Sequence, residues 1–169
     1  IMSMGLGLAT PSLFAASSDK RRPALEAVDN KPLIPDFKLT DLEGKEHRAE
    51  SYRGKVLLVN FWATWCSPCL AEMASIARLE EQWKGTSFNI LAIAMLQSAD
   101  QLREYAAKNP HPFPLLPDPD GSISNAFGVR GLPTTYLVDK SGHLTFRAEG
   151  GRQWDSPRMQ RAITLLMSG

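Results

Sequence analysis

An α/β fold, a sheet buried between covering helices, is predicted by three features of the sequence. Val56 to Trp62 (Val-Leu-Leu-Val-Asn-Phe-Trp) is a near-continuous apolar run, which marks a central strand covered on both faces. A helical pattern follows it at once, and a second buried strand followed by a second helix occupies Phe88 to Lys108. Thr134 to Val138, the turn Asp139-Lys140-Ser141-Gly142 and Leu144 to Ala148 read as a hairpin.

The elements can be justified in chain order. Ile1 to Ala16 is uncharged and rich in small residues, and the polar run Ser17 to Arg22 follows it abruptly. The stretch is like the apolar core and cleavage end of a secretory signal, or the last part of a membrane anchor. With Pro11 inside, it is shorter than the roughly 20 apolar residues that a spanning helix needs. Export to an extracytoplasmic location, the bacterial periplasm, is expected, with the chain secreted or anchored by this segment. Residues 17–32, with Pro23, Asn30 and Pro32 and little apolar periodicity, read as a linker, and the folded domain is expected over residues 33–169. Phe37 and Leu39 alternate with polar neighbours, Glu43-Gly44 makes a turn, and Glu46 to Arg48 returns as a second strand. That hairpin is expected as a short N-terminal addition to the main sheet.

From Pro68 to Trp83, the apolar residues Leu70, Met73, Ile76, Ala77 and Leu79 follow helical spacing. Pro68 is tolerated there because the first turn of a helix does not use its N–H. Gly85-Thr86 breaks the chain before the strand Phe88 to Met95. Ser98 is placed to cap a helix that runs to Lys108 and stops at Asn109-Pro110. Residues 111–120 carry Pro112, Pro114, Pro117 and Pro119, so they can be extended but not helical. Ser122 to Phe127 suits a short helix. Asp155 or Ser156 caps a last helix with Pro157 at its start and Met159, Ala162, Ile163 and Leu166 on one face.

The chain of 169 residues is long enough for one domain with a substantial core. Its 19 basic and 18 acidic residues leave a net charge of +1, which argues against a nucleic-acid partner bound by phosphate neutralisation. The two cysteines, Cys66 and Cys69, are too few and too close together to staple a fold. His47, His111 and His143 are scattered singly, so no metal site and no cofactor is expected.

Cys66 ends the loop after a buried strand and meets a helix N-terminus, where unpaired N–H groups and the helix dipole favour a thiolate. It is the expected nucleophile, and Cys69, one turn further in, is the expected resolving thiol. The competing readings are two buried cysteines acting as small hydrophobes, and a module that binds and transfers copper through the two thiolates. The copper reading needs His143 or Met73 to be brought to the pair by the fold.

Val59-Asn60-Phe61-Trp62-Ala63-Thr64-Trp65-Cys66-Ser67-Pro68-Cys69 resembles the active-site segment of the thioredoxin superfamily. Together with the preceding hairpin and Gly128-Val129-Arg130-Gly131-Leu132-Pro133-Thr134-Thr135, it resembles the TlpA/ResA-like branch of extracytoplasmic oxidoreductases. The resemblance covers residues 33–169 and implies a thioredoxin-like fold. Such a fold has a central mixed sheet flanked by helices, with an N-terminal β-hairpin and an inserted strand–helix unit. It implies that Pro133 is a cis-proline beside the cysteine pair, and that Trp65, Leu132 and Pro133 meet the substrate. It also implies that Glu72 is a buried acid that helps deprotonate the resolving thiol.

Two positions depart from the family pattern. Ala74 stands where a helix-kinking proline is common, and Asn60 stands where cytoplasmic thioredoxins have a buried aspartate. Trp62 and Trp65 themselves read as packing for the active-site loop. The implied function is reduction of extracytoplasmic protein disulfides, such as those of apocytochromes or copper-site proteins, with a membrane thiol donor of the DsbD/CcdA type as the recharging partner. A thiol peroxidase is disfavoured because Ala63 occupies the place of the threonine in a Thr-x-x-Cys arrangement.

Overall fold

The computed structural model describes residues 25–169; the signal- or anchor-like segment 1–16 and residues 17–24 lie outside them. The elements run β1 (Glu26–Ala27), β2 (Lys38–Thr40), β3 (Glu46–Arg48), β4 (Val56–Trp62), α1 (Ser67–Trp83), β5 (Phe88–Met95) and α2 (Ala99–Lys108). They continue with β6 (Leu115–Asp118), α3 (Ser122–Ala126), β7 (Thr134–Val138), β8 (Leu144–Glu149) and α4 (Pro157–Ser168). Six strands form one mixed sheet in the order β1-β8-β7-β4-β5-β6. At its centre β4 pairs parallel with β5 and antiparallel with β7, so the thioredoxin-like α/β architecture is present.

Every residue of β4 is buried, because side chains alternate between two covered faces. Val56, Leu58 and Trp62 pack with Met73, Ile76 and Leu79 of α1 and with Met159 and Ile163 of α4. Leu57, Val59 and Phe61 pack on the other side with Phe127, Tyr136, Ile34 and Phe37. Asn60 has the parity of the first set, so the strand's pleat turns a polar group towards α1. Helix α2 begins as its sequence suggests: Ser98 accepts from the Gln101 backbone N–H while the Gln101 side chain accepts from Ser98 N–H.

Two expectations need correction. The β2–β3 hairpin does not extend the main sheet but forms a separate two-stranded sheet. Ile34 and Phe37 explain the difference, since they carry the segment onto the apolar face of the main sheet and away from its edge. The edge is taken by β1, which pairs with β8 through Glu26 and Arg147. Residues 25–32, read as the end of a linker, therefore include a sheet strand. The hairpin is tied internally by Asp41, which accepts from the Glu43 and Lys45 backbone N–H groups and pairs with buried His47. The other ring nitrogen of His47 meets Tyr52, whose hydroxyl pKa is pushed up to about 12 by burial and by the Asp41 charge.

Candidate active site

The buried strand β4 and the start of α1 bracket the loop Ala63-Thr64-Trp65, and Cys66 is the residue that caps α1 with extended backbone. Leu70 donates its N–H to the Cys66 carbonyl, closing the first turn, with Pro68 inside it. Cys66 and Cys69 are joined as a disulfide with their Cα atoms 5.3 Å apart. Cys66 is 6% exposed and Cys69 is 0% exposed, so an incoming group reaches Cys66 first. Helix α1 runs unbroken through Ala74.

The loop is pinned from one side by Gln97, a residue that no sequence pattern singles out. Its amide oxygen accepts from the Thr64 backbone N–H at 2.8 Å, and its amide nitrogen donates to the Thr64 hydroxyl at 2.7 Å. Trp62 is buried against Tyr105 of α2, as loop packing requires. Trp65 is not: it is 69% exposed and stands on the rim of a cleft of about 450 Å³ beside Cys66. The clamp on Thr64 holds the backbone, and the Trp65 side chain is left to face outward.

Arg130, Gly131 and Leu132 line the same cleft. The Leu132–Pro133 peptide bond is cis. Pro133 itself is buried and lines the adjoining cleft with Thr134 and Glu149. Two hydrogen bonds fix this corner: Thr134 Oγ1 donates to the Gly131 carbonyl, and Gly150 N–H donates to the Pro133 carbonyl.

Glu72 lies one helical turn beyond Cys69 and is 2% exposed. Its Oε1 accepts from Asn60 Nδ2 at 2.7 Å. Its Oε2 accepts from the Arg152 backbone N–H at 2.9 Å and from Trp154 Nε1 at 3.1 Å. Burial pushes its pKa up to about 7, against the opposing pull of these donors and of the Arg152 charge. Asn60 also donates to Thr135 Oγ1, so one amide links the acid to β7. Turned over, that amide offers its oxygen to a protonated Glu72, so both protonation states can be served by one side chain. Trp154 and Arg152 lie about 80 positions from Glu72 in sequence, and no local pattern marks them as its partners.

A pH dependence of stability follows. An unfolded glutamate titrates near 4.5 and the folded Glu72 near 7, so between these values the folded chain keeps a proton that the unfolded chain has lost. Stability should therefore fall as pH rises through that window and level off above it, by about 3 kcal/mol from this group. Urea unfolding of the oxidised chain at pH 5 and pH 8, compared with Glu72→Gln, reads this directly. The variant should lack the decrement, and an identical pH dependence in both chains contradicts the burial argument.

Among the described residues, no three or more His, Cys, Asp and Glu side chains are grouped to hold a metal ion. His143 lies in the β7–β8 turn, at the far end of β7 from Pro133, and Met73 is packed in the core. Neither supplies an exposed third ligand beside Cys66.

Comparison with known proteins agrees with this geometry. Residues 32–147 match the AhpC/TSA family. The thiol-disulfide oxidoreductase ResA of Geobacillus thermodenitrificans is 42% identical over 110 residues, which are 65% of this chain and 63% of that protein's length. The ResA of Bacillus thuringiensis is 32% identical over 144 residues, covering 85% of this chain and 79% of the relative. Among solved structures, the exposed lipoprotein thioredoxin of Streptococcus pneumoniae superposes with a TM-score of 0.69 at 27% identity, covering 78% of this chain and 99% of that one.

Proposed function

The chain belongs to the AhpC/TSA family, with ResA proteins among its relatives, and on that premise we propose that it is a thiol:disulfide oxidoreductase that reduces extracytoplasmic protein disulfides. The observation that carries the reading is the Cys66–Cys69 disulfide at the N-terminus of α1, with an acid of raised pKa one turn beneath it. In the reduced chain, the Cys66 thiolate attacks one sulfur of the substrate disulfide. That S–S bond breaks, the departing substrate thiolate takes a proton from water, and a Cys66–substrate disulfide forms. Cys69 then gives its proton to Glu72 and attacks Cys66 Sγ. The mixed disulfide breaks, the second substrate thiolate leaves, and the Cys66–Cys69 disulfide that forms holds two electrons fewer than the dithiol, both of which have passed to the substrate sulfurs.

The direction of transfer is argued from the surroundings of Cys66. A strong oxidant needs a reduced form whose thiolate is heavily stabilised. Among the described residues, the cleft beside Cys66 is mainly apolar and lined by no histidine, and Arg130 is its single charged side chain. A carboxylate at Glu72 would further disfavour negative charge on the pair. Both effects make the dithiol give up its electrons readily.

The relatives support a site of action outside the cytoplasm. One solved neighbour is an exposed lipoprotein, which supports an extracytoplasmic setting. No described helix is long and apolar enough to cross a membrane. Recharging there falls to a membrane thiol donor of the DsbD/CcdA type. Apocytochrome and copper-site cysteine pairs are the substrates that this setting presents. A direct test mixes the reduced chain with a cyclic peptide closed by a Cys-x-x-Cys-His disulfide. One Cys66–Cys69 disulfide should form for each peptide disulfide lost, and an unreacted peptide at equilibrium contradicts the reading.

A further inference from the structure

The corner between β5 and α2 is built in an unusual way. Leu96 has φ of +57°, a left-handed conformation that a branched side chain rarely adopts. Its N–H is held by the Asp118 carbonyl at 2.8 Å. The side chain lies over Gly121, where an added Cβ would come within 3.0 Å of Leu96 Cδ2. The next residue, Gln97, turns inward to clamp Thr64. The result is that Leu96 is 56% exposed and lines the same cleft as Cys66, together with half-buried Met95 and exposed Trp65. Outliers of this kind persist where the surroundings enforce them and point to a role.

Among the described residues, the cleft has one charge. Arg130 is exposed, lines the cleft together with Cys66, and forms no ion pair or hydrogen bond among the described residues. A substrate disulfide must enter this cleft to reach Cys66, so its occupant is set by the reaction and its preference by these walls. We propose that Leu96 and Arg130 determine specificity, selecting substrate cysteines flanked by an apolar side chain on one side and an acidic side chain on the other. The proposal rests on the thiol:disulfide reading. In it, the apolar neighbour lies on Leu96, Met95 and Trp65, and the carboxylate pairs with the Arg130 guanidinium.

The test uses four cyclic peptides, each closed by one disulfide, with Leu or Ser before the reacting cysteine and Glu or Lys after it. Single-turnover reduction by the reduced chain is followed through tryptophan fluorescence. Leu over Ser should give roughly a fivefold gain in second-order rate constant, and Glu over Lys roughly a threefold gain, as partial burial and an exposed ion pair allow. Only the Glu preference should shrink with added salt.

Leu96→Gly suits the left-handed backbone, so it should fold at least as well as the parent while losing the Leu preference. Arg130→Glu should invert the charge preference. Four peptides reduced at equal rates by the parent chain, or preferences that survive both variants, overturn the selection while leaving the thiol:disulfide reading in place. Failure to reduce any of the four overturns both.

Discussion

Cys69→Ser should accumulate a stable mixed disulfide with substrate, while Cys66→Ser should form none and lose disulfide reduction altogether. The expectation rests on the unequal access of the two sulfurs. Cys66 caps α1 on the wall of the open cleft, whereas Cys69 is fully buried and packed with Trp62, Met73 and Trp154. The helix N-terminus stabilises charge on Cys66, so attack is easiest there. Without Cys69 the adduct has no internal thiol to resolve it. Non-reducing mass spectrometry after mixing each variant with a disulfide peptide gives the answer. An adduct on the Cys66→Ser chain, with none on Cys69→Ser, reverses the two roles.

Glu72→Gln should leave the first attack nearly unchanged and slow the resolving step by as much as about 10²-fold, the low end of the range for general-base catalysis. Higher losses are not expected, because a thiol of ordinary pKa is already partly ionised at neutral pH. The sign of the pH dependence is fixed by the role. A base acts when deprotonated, so the parent chain's resolving rate should rise as pH climbs through about 7, where Glu72 loses its proton. A thiolate formed beside it pushes that pKa in the same upward direction. The variant should lose this limb of the profile. Parent-like resolution with an unchanged pH profile reduces Glu72 to a structural link between α1 and the segment Arg152–Trp154.

The sequence carried those parts of this site that are local. Continuous burial on β4, the proline at the start of α1 and the Ser98 cap of α2 depend on neighbours within a turn or two, and each element formed where its residues suggest. The spacing of Cys66, Cys69 and Glu72 along α1 placed them on one helix in the same way. Contacts between distant segments were not legible. Trp154 reaches Glu72 from the approach to α4, and Gln97 reaches Thr64 across the end of the sheet. Nothing in the pattern around Gln153-Trp154-Asp155 distinguishes a hydrogen-bonding tryptophan from a packing one. Trp65 departs from the packing reading for the complementary reason. Two tryptophans three positions apart look equivalent in sequence, but the pleat buries Trp62 and the pinned loop exposes Trp65. The edge position of β1 likewise depends on β8, which lies more than a hundred residues later.

The proposed direction of electron flow is tested most directly by the equilibrium redox potential of the Cys66–Cys69 pair, measured against graded glutathione or dithiothreitol buffers with thiol alkylation as the readout. A mainly apolar cleft with Arg130 as its one charge, above a buried acid, should give a reducing pair, near the value of about −270 mV typical of a thioredoxin. A potential near about −120 mV, that of a dedicated oxidant, would mean that the Cys66 thiolate is stabilised far beyond what these surroundings provide, and would contradict a reductase.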